Sequence, residues 1–294
     1  NHIFLVPGGG NMHLTDSVKR NKRLKYTSFF HEQSATIAAE SYSRSNGNLG
    51  VALVTSGPGS TNAITGVAGA WIESIPLIII SGQVKTKDLI SKKKIRQNGP
   101  QEVETTKIVK NITKYSITVT KAFDIKTILK KAVKKAISDR NGPVWIDIPL
   151  DIQATQIKYS KNDFKKIDRT QKEYKVNFNK VFKAISLAKK PIIIAGHGVR
   201  LSNSDKIFRK MIEKLNIPTL FTWNSIDLLE YKSNLNFGSP GVVARRFSNL
   251  IIQKSDLIIS LGTSLNQIIV AFNEKDFGRN AKKIIVDIDP NQLK

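Results

Sequence analysis

At 294 residues the chain is long enough for two ordinary domains, and its 40% apolar content can fill a sizeable core. The absence of cysteine excludes disulfides, thiolate nucleophiles and Cys-ligated metals, and no apolar run reaches the roughly 18 residues of a membrane-spanning helix. Forty-seven basic against 23 acidic residues give a net charge of +24, which raises nucleic-acid binding. Yet the lysines are spread along the chain, and the basic runs 19–25 and 92–96 lack interleaved aromatics that would stack on bases. Solvated faces account for the charge, and neither nucleic acid nor membrane is expected as a partner.

In chain order, residues 3–6 form an apolar run ending at Pro7-Gly8-Gly9-Gly10. It reads as a strand entered in mid-course, with residues expected before Asn1, and nothing in it resembles a signal peptide. Residues 24–30 suit a second strand, and 32–44 an alanine-rich helix with Ala35, Ala38, Ala39 and Tyr42 at helical spacing. A buried strand at 51–54 leads into Ser56-Gly57-Pro58-Gly59-Ser60-Thr61-Asn62, a helix over 62–72 and a strand at 76–80. Strands at 115–119 and 144–148 flank an amphipathic helix at 124–137. After a polar, lysine-rich stretch the alternation restarts: helix 178–188, strand 191–195, helix 205–215, strand 219–223, helix 242–253, and strands 256–262 and 283–289. Continuous apolar strands alternating with helices predict parallel sheets covered on both faces. The expectation is therefore α/β: two consecutive doubly wound domains, 1–155 and 177–294, with a linker over 156–176.

Three constellations could carry chemistry. Glu32 follows the aromatic strand end Phe29-Phe30-His31 and opens a helix. In an open α/β sheet ligands sit outside the carboxyl ends of strands. A carboxylate shielded there loses solvation, which disfavours its charged form, and it can serve as a proton donor. A first-turn acid stabilised by the helix dipole explains the same position. The segment 56–62 resembles a phosphate cradle without the P-loop's Gly-Lys-Ser/Thr ending, and a capped tight turn explains it equally well. Pro7-Gly8-Gly9-Gly10 does not complete Gly-x-Gly-x-x-Gly. The four histidines, His2, His13, His31 and His197, lack metal-ligand spacing, so no metal site is expected. No Gly-x-Ser-x-Gly elbow occurs, which argues against hydrolase chemistry.

Taken together, these signals resemble a known family. Pro7-Gly8-Gly9, then His31-Glu32-Gln33, then 55–62, then 76–83, Gln101-Glu102 and Gly142-Pro143-Val144-Trp145-Ile146-Asp147-Ile148-Pro149 are similar to the pyrimidine-binding domain of thiamine-diphosphate enzymes of the acetolactate synthase type. The segments 191–198, 256–262 and 285–290 resemble the central domain of that family. The resemblance implies that Glu32 hydrogen-bonds the cofactor's aminopyrimidine ring and so activates it for attack on a 2-keto acid such as pyruvate. Carbon dioxide leaves, and the two-carbon unit passes to a keto acid or keto-sugar. The cofactor would be the electron sink. Pro7, Gly8, Gly9, Pro58 and Asn62 would border the cofactor, and Gln101 would point into the active site as a second catalytic group. The family also implies a homo-oligomer with the cofactor at the subunit interface, and a cytoplasmic enzyme.

Four departures qualify the resemblance. Pro100 stands where the family usually has Phe, and 7–14 and 95–102 look more like relatives from surface-polysaccharide pathways. Gly262-Thr263-Ser264-Leu265-Asn266 stands where an arginine-bearing segment is usual, which leaves FAD open. The family's third domain holds the diphosphate through Mg²⁺ and begins Gly-Asp-Gly; this chain contains no Asp-Gly. The expectation is an N-terminal fragment without the diphosphate-binding domain, inactive in isolation. A non-catalytic binding module or partner subunit that lacks that domain is the alternative.

Overall fold

The computed structural model describes residues 2–90, 93, 95–160, 167 and 176–293. It divides into two compact units, Asn1–Lys172 and Glu173–Lys294. Most of the linker expected over 156–176 lies outside the described residues.

Unit 1 runs β1 (His2–Leu5), α1 (Met12–Arg20), β2 (Lys25–Ser28), α2 (Glu32–Asn46), β3 (Gly50–Val54), α3 (Pro58–Asn62), α4 (Ile64–Ile72), β4 (Leu77–Gln83), α5 (Thr105–Ile108), β5 (Tyr115–Thr118), α6 (Ile125–Ile137), β6 (Pro143–Pro149) and α7 (Leu150–Ala154). All its strands are parallel, in the order β2-β1-β3-β4-β6-β5. β4 and β6 are buried along almost their whole length, as parallel strands covered on both faces must be. Ile78, Val144 and Ile146 face Ile128, Ala132 and Ala136 of α6. Side chains alternate along a strand, so Leu77 turns the other way, beneath α2.

α2 is a well-specified helix. The His31 ring caps it by accepting from the Gln33 N–H at 3.2 Å, alanines favour its interior, and Gly47 ends it at φ +68°, donating to the Ser43 carbonyl. Its inner face carries the fully buried Ala35 and Ala39. Gly50 lets β3 come so close that a Cβ there would sit 2.2 Å from the Ala39 carbonyl oxygen. On the same helix Gly66 of α4 lies directly against Thr36.

Unit 2 runs α8 (Phe178–Leu187), β7 (Pro191–Ala195), α9 (Gly198–Leu201), α10 (Asp205–Leu215), β8 (Thr219–Phe221), α11 (Arg246–Lys254), β9 (Leu257–Leu261) and β10 (Lys282–Val286). Its sheet is again parallel, β10-β9-β7-β8. Ile193, Phe221 and Ile259 pack on Phe208 and Ile212 of α10. Ile192, Ile194 and Ile258 pack with Ile252 of α11 on the opposite face. Both units therefore have the doubly wound architecture that the apolar runs predict.

Several element boundaries differ from those read in the sequence. The helix expected over 62–72 is two helices and begins at Pro58, whose fixed φ suits a first helical turn. The helix expected from 242 begins at Arg246, because Gly241 (φ +105°) exchanges two hydrogen bonds with the Asn249 side chain while Val242 donates to Ile268. The strand expected to 223 ends at Phe221. Trp223–Leu228 forms a 3-10 turn held by the Ser225 hydroxyl, which donates to the Ala195 carbonyl at 2.8 Å.

Gly50→Ala is expected to lower stability by about 1–3 kcal/mol, since the new methyl meets backbone. Gly69→Ala, in α4 with nothing within 4 Å of the new Cβ, is expected to raise it by about 0.5–1 kcal/mol. Urea unfolding midpoints of the two variants, moving in opposite directions, check the pair.

Candidate functional site

The strand order of unit 1 places a topological switch between β1 and β3, because the chain leaves β1 for β2 on one side and returns on the other for β3. Loops leaving such a pair diverge and open a crevice at the carboxyl ends of the strands. Residues 7–11 follow β1, and 55–62 follow β3. Glu32, opening α2, belongs to the same rim.

The Glu32 side chain is buried, at 8% exposure. Its Oε2 accepts from Asn62 Nδ2 at 3.0 Å. Its other oxygen lies against Gly59, where an added Cβ would come within 2.7 Å. Oε1 accepts no hydrogen bond from the described residues. The backbone below is also fixed: the Thr36 hydroxyl donates to the Glu32 carbonyl at 2.8 Å. The structure thus joins two of the sequence candidates, Glu32 and Asn62, by a direct bond across 30 positions.

The glycines of the β1 loop have different roles. Gly8 lies directly over the Thr55 side chain, and Gly10 over Ser56. Gly10 N–H donates to Thr55 Oγ1 at 3.1 Å, and the fully buried Asn11 accepts from Gly8 N–H at 2.8 Å while donating to the Val6 carbonyl. A Cβ on Gly9 meets nothing within 4 Å. Pro7, Gly9 and Pro58 are exposed around the buried carboxylate. Gln101 reaches the same rim through its backbone. Gly57, at φ +61°, has no Cβ, and one there would sit 1.9 Å from the Gln101 carbonyl oxygen. Gln101 itself holds φ +56°, unusual for a residue with a side chain, and that side chain is exposed.

A group that sequence reasoning missed lies beneath this rim. Asp147, in β6 between β4 and β5, is 1% exposed. Its Oδ1 accepts from the Ser81 hydroxyl at 2.6 Å, and its Oδ2 from Gln83 Nε2 at 2.9 Å and the Thr118 hydroxyl at 3.4 Å. The indole of Trp145 donates to Ser81 Oγ at 2.7 Å. The carboxyl is pushed up to about 7, chiefly by burial; the three donors act against the rise and the nearby Glu102 carboxylate adds to it. The signal available in the sequence was an acid in an otherwise apolar run, Val144-Trp145-Ile146-Asp147-Ile148. A separate cleft of about 570 Å³ lies between α1, Lys85 and α7 and shares no residue with the Glu32 rim. Among the described residues, no three His, Asp or Glu side chains converge on a possible metal position, and no helix is long and apolar enough to cross a membrane.

Comparison with known proteins gives this arrangement a family. Residues 1–108 match the profile described as thiamine pyrophosphate enzyme, N-terminal TPP binding domain. Residues 178–294 match that of the thiamine pyrophosphate enzyme central domain. The chain belongs to the thiamine pyrophosphate enzyme family. Among similar proteins, the acetolactate synthase large subunit of Lactococcus lactis is 34% identical over 294 residues, covering 99% of this chain and 50% of the relative. That of Buchnera aphidicola (subspecies Schizaphis graminum) is 36% identical, covering 99% and 51%. A probable acetolactate synthase large subunit of Methanococcus aeolicus is 33% identical, covering 99% and 48%. The chain spans about half the length of the curated relatives it matches. Within this family, Glu32, Asn62 and the β1 and β3 loops all fall in the N-terminal TPP binding domain.

Asp147 generates a pH prediction. Its folded-state value lies above the unfolded 3.8, so its contribution favours folding below about pH 4 and is lost as pH rises through about 7. Asp147→Asn removes that loss and is expected to gain on the order of 1–4 kcal/mol over the parent at pH 8 and little at pH 4. Thermal unfolding of both proteins across this range checks it.

Proposed function

We propose that the protein containing this chain is a thiamine-diphosphate-dependent carboligase or lyase of the acetolactate synthase type, which decarboxylates a 2-keto acid such as pyruvate and passes the two-carbon unit to a keto acid or keto-sugar. The observation that carries the reading is the Glu32 carboxylate. It is nearly removed from water and anchored through one oxygen by Asn62, and its second oxygen makes no hydrogen bond within the described residues. That free oxygen suits a ring nitrogen. The backbone of Gly8 and Gly59, packed too closely for any side chain, suits a flat ring brought against the strand ends.

Bound thiamine diphosphate would supply the electron sink for decarboxylation. The residues of this chain have simpler tasks. Glu32 holds a proton on, or takes it from, the ring nitrogen it faces. Asn62 fixes the carboxylate's rotamer. Pro7, Gly8, Gly9 and Pro58 border the ring, and Gln101 orients the keto acid. Phe30, fully exposed two residues before Glu32, supports a homo-oligomer in which a second subunit covers the cofactor. The reading places the Mg²⁺ ligands in residues beyond those of this chain, and the enzyme in the cytoplasm. It does not extend to FAD: at the β7/β9 switch of unit 2 the Gly196 and Gly198 amides donate to the Leu261 and Gly262 carbonyls, each at 2.9 Å.

Glu32→Gln in the full-length protein is expected to cut turnover by about 10²–10⁴-fold with an unchanged unfolding midpoint. Steady-state kinetics beside thermal unfolding test this, and full turnover in the variant would overturn the assignment. Titration calorimetry of this chain alone with thiamine diphosphate and Mg²⁺ is expected to give no saturable heat at micromolar concentrations.

A further inference from the structure

The turn that carries Gln101 is held from below by buried groups with no assigned role. Gln83, at the end of β4, is 2% exposed. Its amide nitrogen donates both to Asp147 Oδ2 at 2.9 Å and to the Val103 carbonyl at 3.1 Å, and its Oε1 accepts from the Val84 N–H at 2.9 Å. Every polar atom of that side chain is thereby used, and a rotation about any of its bonds breaks at least one bond. On the near side of the turn, the buried Glu102 carboxylate accepts from the Ile90 and Gly99 amides. Between Gly99, held by Glu102, and Val103, held by Gln83, sits Gln101, in a left-handed conformation that a free chain rarely adopts, with its carbonyl against Gly57. Such a conformation persists only where its surroundings over-determine it.

We propose that Gln83, clamped by Asp147, is the positioning residue that holds the Gln101 turn against the Gly57 loop and so sets how the keto acid is bound. Asp147 fixes the amide from the sheet, and the amide fixes the Val103 carbonyl two residues beyond Gln101. Among the described residues the Gln83 side chain bonds to the crevice loops through that turn alone, so it governs substrate orientation and leaves Glu32 untouched. The inference rests on the reading that Gln101 faces the keto acid; the holding of the turn itself does not.

The test uses the full-length protein. Gln83→Met removes both donors with little change of volume, and Gln83→Asn, one methylene shorter, is the second variant should the first fail to fold. Each is expected to speed amide hydrogen exchange in the peptide covering 99–105 by about tenfold without cofactor. Each is also expected to raise KM for the keto acid by about tenfold while kcat stays within about threefold. Thr118→Val removes another Asp147 donor without touching Val103, and is expected to shift neither. Unchanged exchange in the Gln83 variants overturns the clamp, as does an equal effect of Thr118→Val. Faster exchange with an unchanged KM overturns its link to substrate. Glu32→Gln in the same assay separates the two readings, because retained turnover there removes the thiamine assignment while the exchange result still decides the clamp.

Discussion

The site depends on how closely the carboxyl ends of three parallel strands approach one another. At the ends of β1, β3 and β4 glycines let the chain pass close: Gly82 lies against the Gly10 carbonyl, Gly57 against the Gln101 carbonyl, and Gly8 over the Thr55 side chain. At each contact a Cβ would fall inside van der Waals distance of a neighbour. Removing side chains there lets the β1 and β3 loops close around the head of α2, and this places Asn62 within hydrogen-bond reach of Glu32. Main chain from the two loops therefore closes on a buried carboxylate that the Asn62 side chain holds.

The same closeness explains the polar layer beneath. Loops that turn sharply over a sheet leave carbonyls and amides facing inward, and buried polar groups need partners. Gln83 provides two, to the Val103 carbonyl and the Val84 N–H, and is itself held with Ser81 and Thr118 on Asp147, a polar layer drawn from three adjacent strands. The cost is a buried carboxyl that prefers its neutral form. At the surface the balance reverses. α6 presents a comb of lysines, and Lys114 donates to the Ser138 and Arg140 carbonyls at the end of that helix, so part of the large positive charge secures a chain reversal.

Much of this could be read from the sequence, for physical reasons that differ by element. Buried parallel strands announce themselves as unbroken apolar runs, so β3, β4, β6, β7 and β9 were legible, and α2 was legible from its alanines at helical spacing. α1 was not: Met12, Leu14 and Val18 lie among polar and basic residues, and its first half follows a glycine run that reads as loop. Glu32 was legible as a position but not as an environment, since its partner lies on another loop. The segment 56–62 read as resembling a phosphate cradle, and the glycines of 7–10 as a dinucleotide-type turn left incomplete. Most of them instead admit close packing, a distinction invisible without coordinates. Gln101 was singled out through family likeness for its side chain, whereas the structure gives a role to its carbonyl. Gln83 and Asp147, 64 positions apart, had no local signal linking them.

One loop position stands apart from its tightly packed neighbours. Gly9 opens onto empty space at the crevice mouth, in a chain that contains no cysteine. A thiol introduced there would be unique in these residues and would sit on the loop that follows β1. A fluorophore or spin label attached to it would report filling of the crevice and arrival of a neighbouring subunit as separate spectral changes, with no native sulfhydryl of this chain to mask first.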